Sequence, residues 1–329
     1  MNRLGSILAV LAAALIAVGC SKGNPAPAEK GKGDVSGQLY IEVSALGSLD
    51  YFYDHKMGME RAGRALGVRT EYVGPADYDM NAMANAFELA IARKPNGIVV
   101  VGFENSLSAL VDKAAARGIP VVTVDADLPG SKRIAFVGTG NYRAGFEGGR
   151  KLAALVGGKG KVAIMTKPGQ SNLEERVRGY QDALKQSPGM EVVQVADTQS
   201  DPVVAAQAAG SLLQRYPDLA GIACVEAAGG TGAATAVREA NRVGKVKIVA
   251  MDRGNEVLEY IQDGVISATV AQQTALMPFY AVQILYNLNN HPVPVTSDNA
   301  KAGITGAPEV IDTGVVIVDK DNYQYFVRK

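Results

Sequence analysis

The chain has no tryptophan, two cysteines and two histidines in 329 residues. That scarcity removes whole classes of chemistry. His55 and His291 lie far apart and away from both Cys20 and Cys224, so a zinc site or a Cys–His nucleophile lacks its parts. No G-x-S-x-G elbow occurs. No catalytic residue, metal site or cofactor is therefore expected. Net charge is missing too, with 33 Lys and Arg against 33 Asp and Glu, so no global field draws the chain to nucleic acid or to an anionic surface. The apolar run from Ile7 to Val18 falls short of the roughly 20 residues that a membrane-crossing helix needs. What is present is an apolar content of 47% with 37 glycines, a composition that fits a globular α/β protein. The length suits two cores better than one.

The first 20 residues, MNRLGSILAVLAAALIAVGC, place Arg3 before the apolar run, then Gly19, then Cys20, which is the layout of an export signal. Ala17-Val18-Gly19-Cys20 resembles the bacterial lipoprotein signal, in which the cysteine becomes the lipidated first residue of the mature protein. Ala17 departs from it, since leucine is more usual there. The alternative is an ordinary cleaved signal with an incidental cysteine; both send the protein out of the cytoplasm. Residues 21–35, polar and rich in Pro, Gly and Lys, read as a flexible tether. Cys224 lies in an apolar run and reads as a small buried hydrophobe.

From Gln38 onward, short β-branched runs (QLYIEV, GIVVVG, PVVTVD, RIAFVG, KVAIMT, GIACVE, VKIVAMD) alternate with stretches of helical period such as Tyr51–Leu66, Met80–Ala92, Ser106–Arg117, Tyr142–Leu155, Leu173–Gln186, Val203–Arg215 and Gly232–Asn241. Unbroken apolar strands are covered on both faces, and helices of this length serve as crossovers, so doubly wound parallel sheets are expected. Residues 96–127 and 220–253 share one plan of strand, loop, helix, strand and acidic end. Two similar lobes follow. Ligands of open α/β sheets bind beyond the carboxyl ends of the strands. Asp125 ends such a strand in one half and Asp252 in the other; facing lobes would bring both carboxylates to one cleft.

The segment CVEAAGGTGAATAV (224–237) imitates a dinucleotide site: Gly230-Thr231-Gly232 follows a strand and begins a helix, and Asp252 lies about twenty residues on. Thr235 stands where a third glycine or alanine is needed, and Glu226 would repel phosphate. The glycines are otherwise read as allowing helix and strand to pack closely.

The motifs YFYDHKMGMERAGRALGV, GIPVVTVDAD, GTGNYRAG, RVRGY, KVKIVAMD and SATVAQQ, in this order from Leu39 to about Val318, resemble a bacterial solute-binding protein of the ribose-binding type, which serves ABC importers. The resemblance implies a periplasmic binding protein type I fold, two α/β lobes joined by a three-segment hinge with ligand held between them. It implies ligand contacts as well. Tyr51 and Phe52 would stack on sugar faces. Asp125 would accept hydroxyl hydrogen bonds from the first lobe, Arg176 would reach in from the second, and Asp252 and Gln272 would complete the polar ring. Asp127 and Glu226 would add to an acidic rim, with Arg253 as a further cation. Glu226 stands where the ribose-type protein has Asn, Ala126 where it has Arg, and Ser200 where an aromatic is usual, so ribose itself is not implied. Two carboxylate-rich tips beside few cations favour a neutral polyhydroxylated or amine-bearing ligand over a sugar acid or phosphate.

Each of these residues has a plainer reading: aromatics plugging the core, aspartates capping loops, Arg176 as one member of a solvated charged face. Asn141 is a good helix N-cap and is not assigned to ligand.

The expected organisation is a signal over 1–20, a tether over 21–35, a first lobe of 36–138 and 274–308, and a second of 139–273 and 309–329. Hinges are expected near Gly138–Asn141, Ala271–Gln273 and Glu309–Thr313. The expected function is a lipid-anchored, monomeric, periplasmic binding protein that delivers a sugar, polyol or amino sugar to an inner-membrane ABC permease. It touches no nucleic acid. The alternatives are ligand presentation to a chemoreceptor or histidine kinase, a glycoside-acting enzyme using cleft carboxylates, and a sugar-responsive repressor, whose N-terminal helix-turn-helix is replaced here by the export signal.

Overall fold

Gly97–Val101, GIVVV, is buried at all of its positions, as an unbroken β-branched run inside a sheet must be. The computed structural model describes residues 34–328, in which such strands alternate with helices throughout. The expected export signal, Cys20 and nearly all of the tether lie outside the described residues.

The first sheet is built from β1 (Leu39–Val43), β2 (Arg69–Val73), β3 (Gly97–Val101), β4 (Val121–Val124) and β5 (Ala135–Gly138). Its helices are α1 (Asp50–Leu66), α2 (Met80–Ala92) and α3 (Ser108–Ala116). The second sheet repeats the scheme with β6 (Lys159–Thr166), β7 (Gly189–Asp197), β8 (Leu219–Cys224), β9 (Lys247–Met251) and β10 (Ala268–Gln272). Here α4 (Asn141–Leu155) leads in, and α5 (Ser171–Lys185), α6 (Pro202–Arg215), α7 (Ala227–Glu239) and α8 (Asn255–Gln262) connect the strands. Next, α9 (Leu276–Asn290) returns to the first lobe, where Leu285 lies against Gly97. Two short strands close the chain: β11 (Val310–Asp312) beside β5, and β12 (Val315–Asp319) beside β10.

The strand orders are β2-β1-β3-β4-β5-β11 and β7-β6-β8-β9-β10-β12, one plan used twice. The internal repeat seen in sequence is therefore a repeat of topology. Alternate residues feed opposite faces, as strand geometry requires. Val162, Ile164, Val249 and Met251 meet Leu152 and Tyr180, whereas Ala163, Met165, Ile248 and Ala250 meet Leu212 and Val237. Among the described residues no helix is long and apolar enough to cross a membrane.

Two details depart from the parallel, helix-linked expectation. The last strand, β12, is antiparallel to β10. Because β11 runs parallel to β5, it leaves the first sheet at the carboxyl ends of the strands. With only Thr313 and Gly314 between, β12 enters the second sheet from the same ends and must run the opposite way. Val310–Asp312, grouped from sequence with the second lobe, accordingly hydrogen-bonds within the first sheet.

The other departure is the glycine cluster. Its helix starts at Ala227, not at Gly232, so Gly229, Gly230 and Gly232 are helical. A Cβ on Gly232 would stand 2.5 Å from Ala205 Cβ and 2.7 Å from Ala206 N on α6. Gly232 lets two helices touch, and Gly230, where an added Cβ would stand 2.8 Å from Ala250 Cβ, lets α7 lie close on β9, as the packing reading expected; none of them is in a phosphate loop.

Candidate functional site

Asp125 follows β4 and Asp252 follows β9, and both occupy left-handed backbone, at φ 64° and 67°. Aspartate tolerates that region better than most residues. The amide of Asp125 donates to Val137 O at 3.2 Å and that of Asp252 to Val270 O at 2.9 Å, so each strand tip is pinned by the next strand in its own sheet. The two halves thus present the same turn and the same carboxylate.

In the first lobe, Tyr51 at the start of α1 donates its hydroxyl to Asp125 Oδ1 at 2.6 Å. One turn further on, the His55 ring lies 5.7 Å from that of Tyr51, and His55 Nδ1 is 2.6 Å from Glu42 Oε1 on β1. Both members of that pair are fully buried. Burial pulls the His55 pKa down, but the charge and hydrogen bond of Glu42, with Asp125 and Asp54 adding, leave it raised. A buried, hydrogen-bonded Glu42–His55 pair therefore backs the aromatic wall. Phe52 is 2% exposed and packs edge-on against Tyr51, His55 and Phe103. It supports Tyr51 from within the core, and Tyr53 is the outward ring of the three.

In the second lobe, Arg176 on α5 is 5% exposed. It donates from Nε to Asn141 Oδ1 at 2.8 Å, from Nη1 to Val225 O at 3.0 Å and from Nη2 to Gln272 Oε1 at 3.2 Å. Gln272 in turn donates to Asp252 Oδ1 at 2.9 Å. The result is a continuous chain, Asn141–Arg176–Gln272–Asp252, drawn from α4, α5, β10 and the end of β9. Arg176 reaches this position because α4 and α5 cross closely: a Cβ on Gly145 would lie 2.0 Å from the Arg176 carbonyl oxygen. Asn141 was expected to cap α4. Instead Gly140 is the N-cap, without a side-chain bond, and Asn141 holds the guanidinium.

The lobes also sense one another. Burial raises the pKa of Asp252; Arg176 and the Gln272 hydrogen bond oppose that rise, and the carboxylates of Asp125 and Glu226 add to it. Burial likewise pushes the Tyr51 phenol well up, with Asp125 and Asp252 both contributing. A group of the first lobe and a group of the second therefore act on the same buried side chains.

Two expected rim carboxylates are engaged elsewhere. Glu226 caps α7, accepting from Ala228 N at 2.8 Å and Gly229 N at 2.9 Å, and it accepts from Thr198 Oγ1 at 2.9 Å. Asp127 lies in its own loop, accepting from Thr123 Oγ1 and Leu128 N, each at 2.7 Å, and pairing with Arg133 at 2.5 Å. Asp127 is thus paired within its own loop, while Glu226, bonded at the start of α7, still acts on Asp252 beside Arg176. Hydroxyls that both donate and accept suit this set.

The family model described as a periplasmic binding protein domain matches residues 43–291. A D-apiose import binding protein of Paraburkholderia graminis is 31% identical over 250 residues, covering 75% of this chain and 76% of that protein. The D-allose-binding periplasmic protein of Escherichia coli is 29% identical over 247 residues, 72% and 79% of the two chains. Among solved structures, an arabinose binding protein from Geobacillus stearothermophilus aligns with a TM-score of 0.84 at 37% identity, over 89% of this chain and all of that one.

Proposed function

Because the chain belongs to the periplasmic binding protein family, we propose that it is the extracytoplasmic solute-binding component of an ABC importer and captures a small, sugar-like polyhydroxylated ligand between its lobes. The observation that carries this reading is the pair of equivalent aspartates, one at a strand tip of each sheet in the same left-handed turn, with Tyr51 bonded to the first and the Gln272–Arg176 chain to the second. Ligand hydroxyls would donate to Asp125 and Asp252, while Tyr51 covers an apolar sugar face. Arg176 and Gln272 would hold Asp252 and offer their remaining donors.

The relatives are named for import of, or binding to, D-apiose, D-allose and arabinose, which favours a transport role and a neutral pentose or hexose. They are binding proteins and not enzymes, and no catalytic step is assigned. The N-terminal signal adds a lipid anchor at Cys20, which makes a tethered monomer the working form; Cys20→Ser should then release the protein from the membrane fraction, and unchanged detergent partitioning would argue against lipidation. For the lobes, the reading gives the first 36–138, 274–308 and β11, and the second 139–273 and the chain from residue 315.

A thermal-shift screen across pentoses, hexoses, polyols and amino sugars tests the function, because a ligand that binds only the folded state raises the melting temperature. A neutral sugar is expected to give the largest shift. No shift with any member, or a larger shift with a sugar acid than with its neutral parent, would contradict the reading.

A further inference from the structure

Away from the ligand space, Asp54 on α1 is 2% exposed and belongs to the first lobe. Its Oδ2 accepts from Arg253 Nη2 at 2.6 Å, from Thr274 Oγ1 at 3.0 Å and from Arg328 Nη2 at 3.1 Å. The donors come from three places. Arg253 follows Asp252 at the tip of β9, Thr274 lies on the crossing from β10 to α9, and Arg328 ends a tail whose Tyr323 and Phe326 pack on the second core. Arg253 Nη1 also donates to Phe326 O at 2.8 Å, which ties the two guanidinium-bearing segments together. Arg328 lies 3.4 Å from Asp50 Oδ2 and sits over the Tyr53 ring. A hollow of about 270 Å³ beside the cluster is lined by Asp54, Arg253, Thr274, Tyr325 and Phe326, and meets the ligand residues through Gln272.

We propose that Asp54 is a positioning residue for ligand capture: it clasps Arg253 and Arg328 of the second lobe to the first, and so sets how readily the lobes close. The inference rests on the two-lobe binding reading. A carboxylate removed from water needs cationic partners, and two of its partners move with the opposite lobe, so the full set exists only when the lobes are together. An interaction confined to one of two arrangements shifts the population toward it, and apparent affinity falls with the competent fraction. Asp252 and Arg253 are adjacent, so one turn of chain carries both a ligand group and the clasp. Asp54 itself hydrogen-bonds to none of Tyr51, Asp125, Arg176 or Gln272 among the described residues.

The test compares wild type, Asp54→Asn, Arg253→Gln and the double variant. Spin labels on exposed Leu89→Cys of α2 and Val203→Cys of α6 report the interlobe distance, and D-arabinose is the probe sugar. Each single variant should weaken D-arabinose binding by about tenfold, and the double should be no more than about threefold weaker than either single, because the pair acts as one unit. Asp54→Glu should recover part of the loss. At one subsaturating sugar concentration, the short-distance population should be smaller in Asp54→Asn than in wild type. Wild-type affinity in Asp54→Asn, or fully additive losses, would overturn the clasp. If wild type binds no sugar of the screen, the functional reading fails separately. The unliganded distances then decide: loss of a short-distance component in Asp54→Asn supports the clasp, and identical distributions overturn it.

Discussion

Asp252 carries a testable electrostatic signature. Its pKa is raised above the ordinary carboxylate value, burial first and neighbouring carboxylates after. A sugar hydroxyl that donates to Asp252 requires the ionised form, so affinity for a neutral sugar should hold at neutral pH and fall as the pH drops through this raised pKa. The fall should begin at a higher pH than an ordinary aspartate would give, with a slope of at most about tenfold per unit. Asp252→Asn should bind more weakly and lack this limb; superimposable pH profiles from calorimetric titration would contradict the assignment. For the unliganded protein the sign reverses. The folded state takes up this proton at higher pH than the unfolded chain, so ionised Asp252 costs stability above its pKa, and the cost disappears as the pH falls. The strand-end positions of Asp125 and Asp252, and the places of Arg176 and Gln272 beside Asp252, were legible in sequence because each residue ends an apolar strand or sits in a motif with a fixed place in the fold. The local partners of Glu226 and Asp127 were not legible, for a physical reason. A carboxylate just past a strand is equally suited to face a cleft or to accept amides of the following turn, and only coordinates distinguish them. Asn141 departed in the opposite direction, since a good capping residue holds a guanidinium 35 residues further along the chain.

Most central strands and most helices were visible as apolar runs and helical periods, because burial on both faces leaves an unmistakable composition; the buried β10, ATVAQ, was met only within the motif SATVAQQ. The edge strands β2, RTEYV, and β7, GMEVVQVAD, were not. Their residues are mostly exposed or half-buried, so an edge strand resembles the polar segments around it. The start of α7 was hidden by glycine, which lowers helix propensity but here permits contact with α6. Gly232→Ala should therefore destabilise the protein: the added methyl meets Ala205 and the α6 backbone, and overpacking of this kind costs about 1–3 kcal/mol. A urea midpoint equal to or above that of wild type, at unchanged slope, would show that the helices can separate without penalty.

For the molecule as a whole, one topology used twice explains why equivalent aspartates stand at equivalent strand ends. Both sheets direct the carboxyl ends of their strands to the crossings, and the antiparallel entry of β12 follows from that orientation. The hinge was legible as three crossings, but the proposed clasp behind it was not, because Asp54 lies 199 residues from Arg253 and 274 from Arg328 along the chain and shares no motif with them. Closure on ligand then follows as a hinge motion in which contacts to both lobes become available together. The most direct measurement is isothermal titration of Asp125→Asn and Asp252→Asn with the sugar that most stabilises the wild type. Each variant should lose about tenfold or more in affinity, near 1.4 kcal/mol, while melting close to the wild-type temperature without ligand. Wild-type affinity in either variant would contradict a ligand held jointly by the two strand tips.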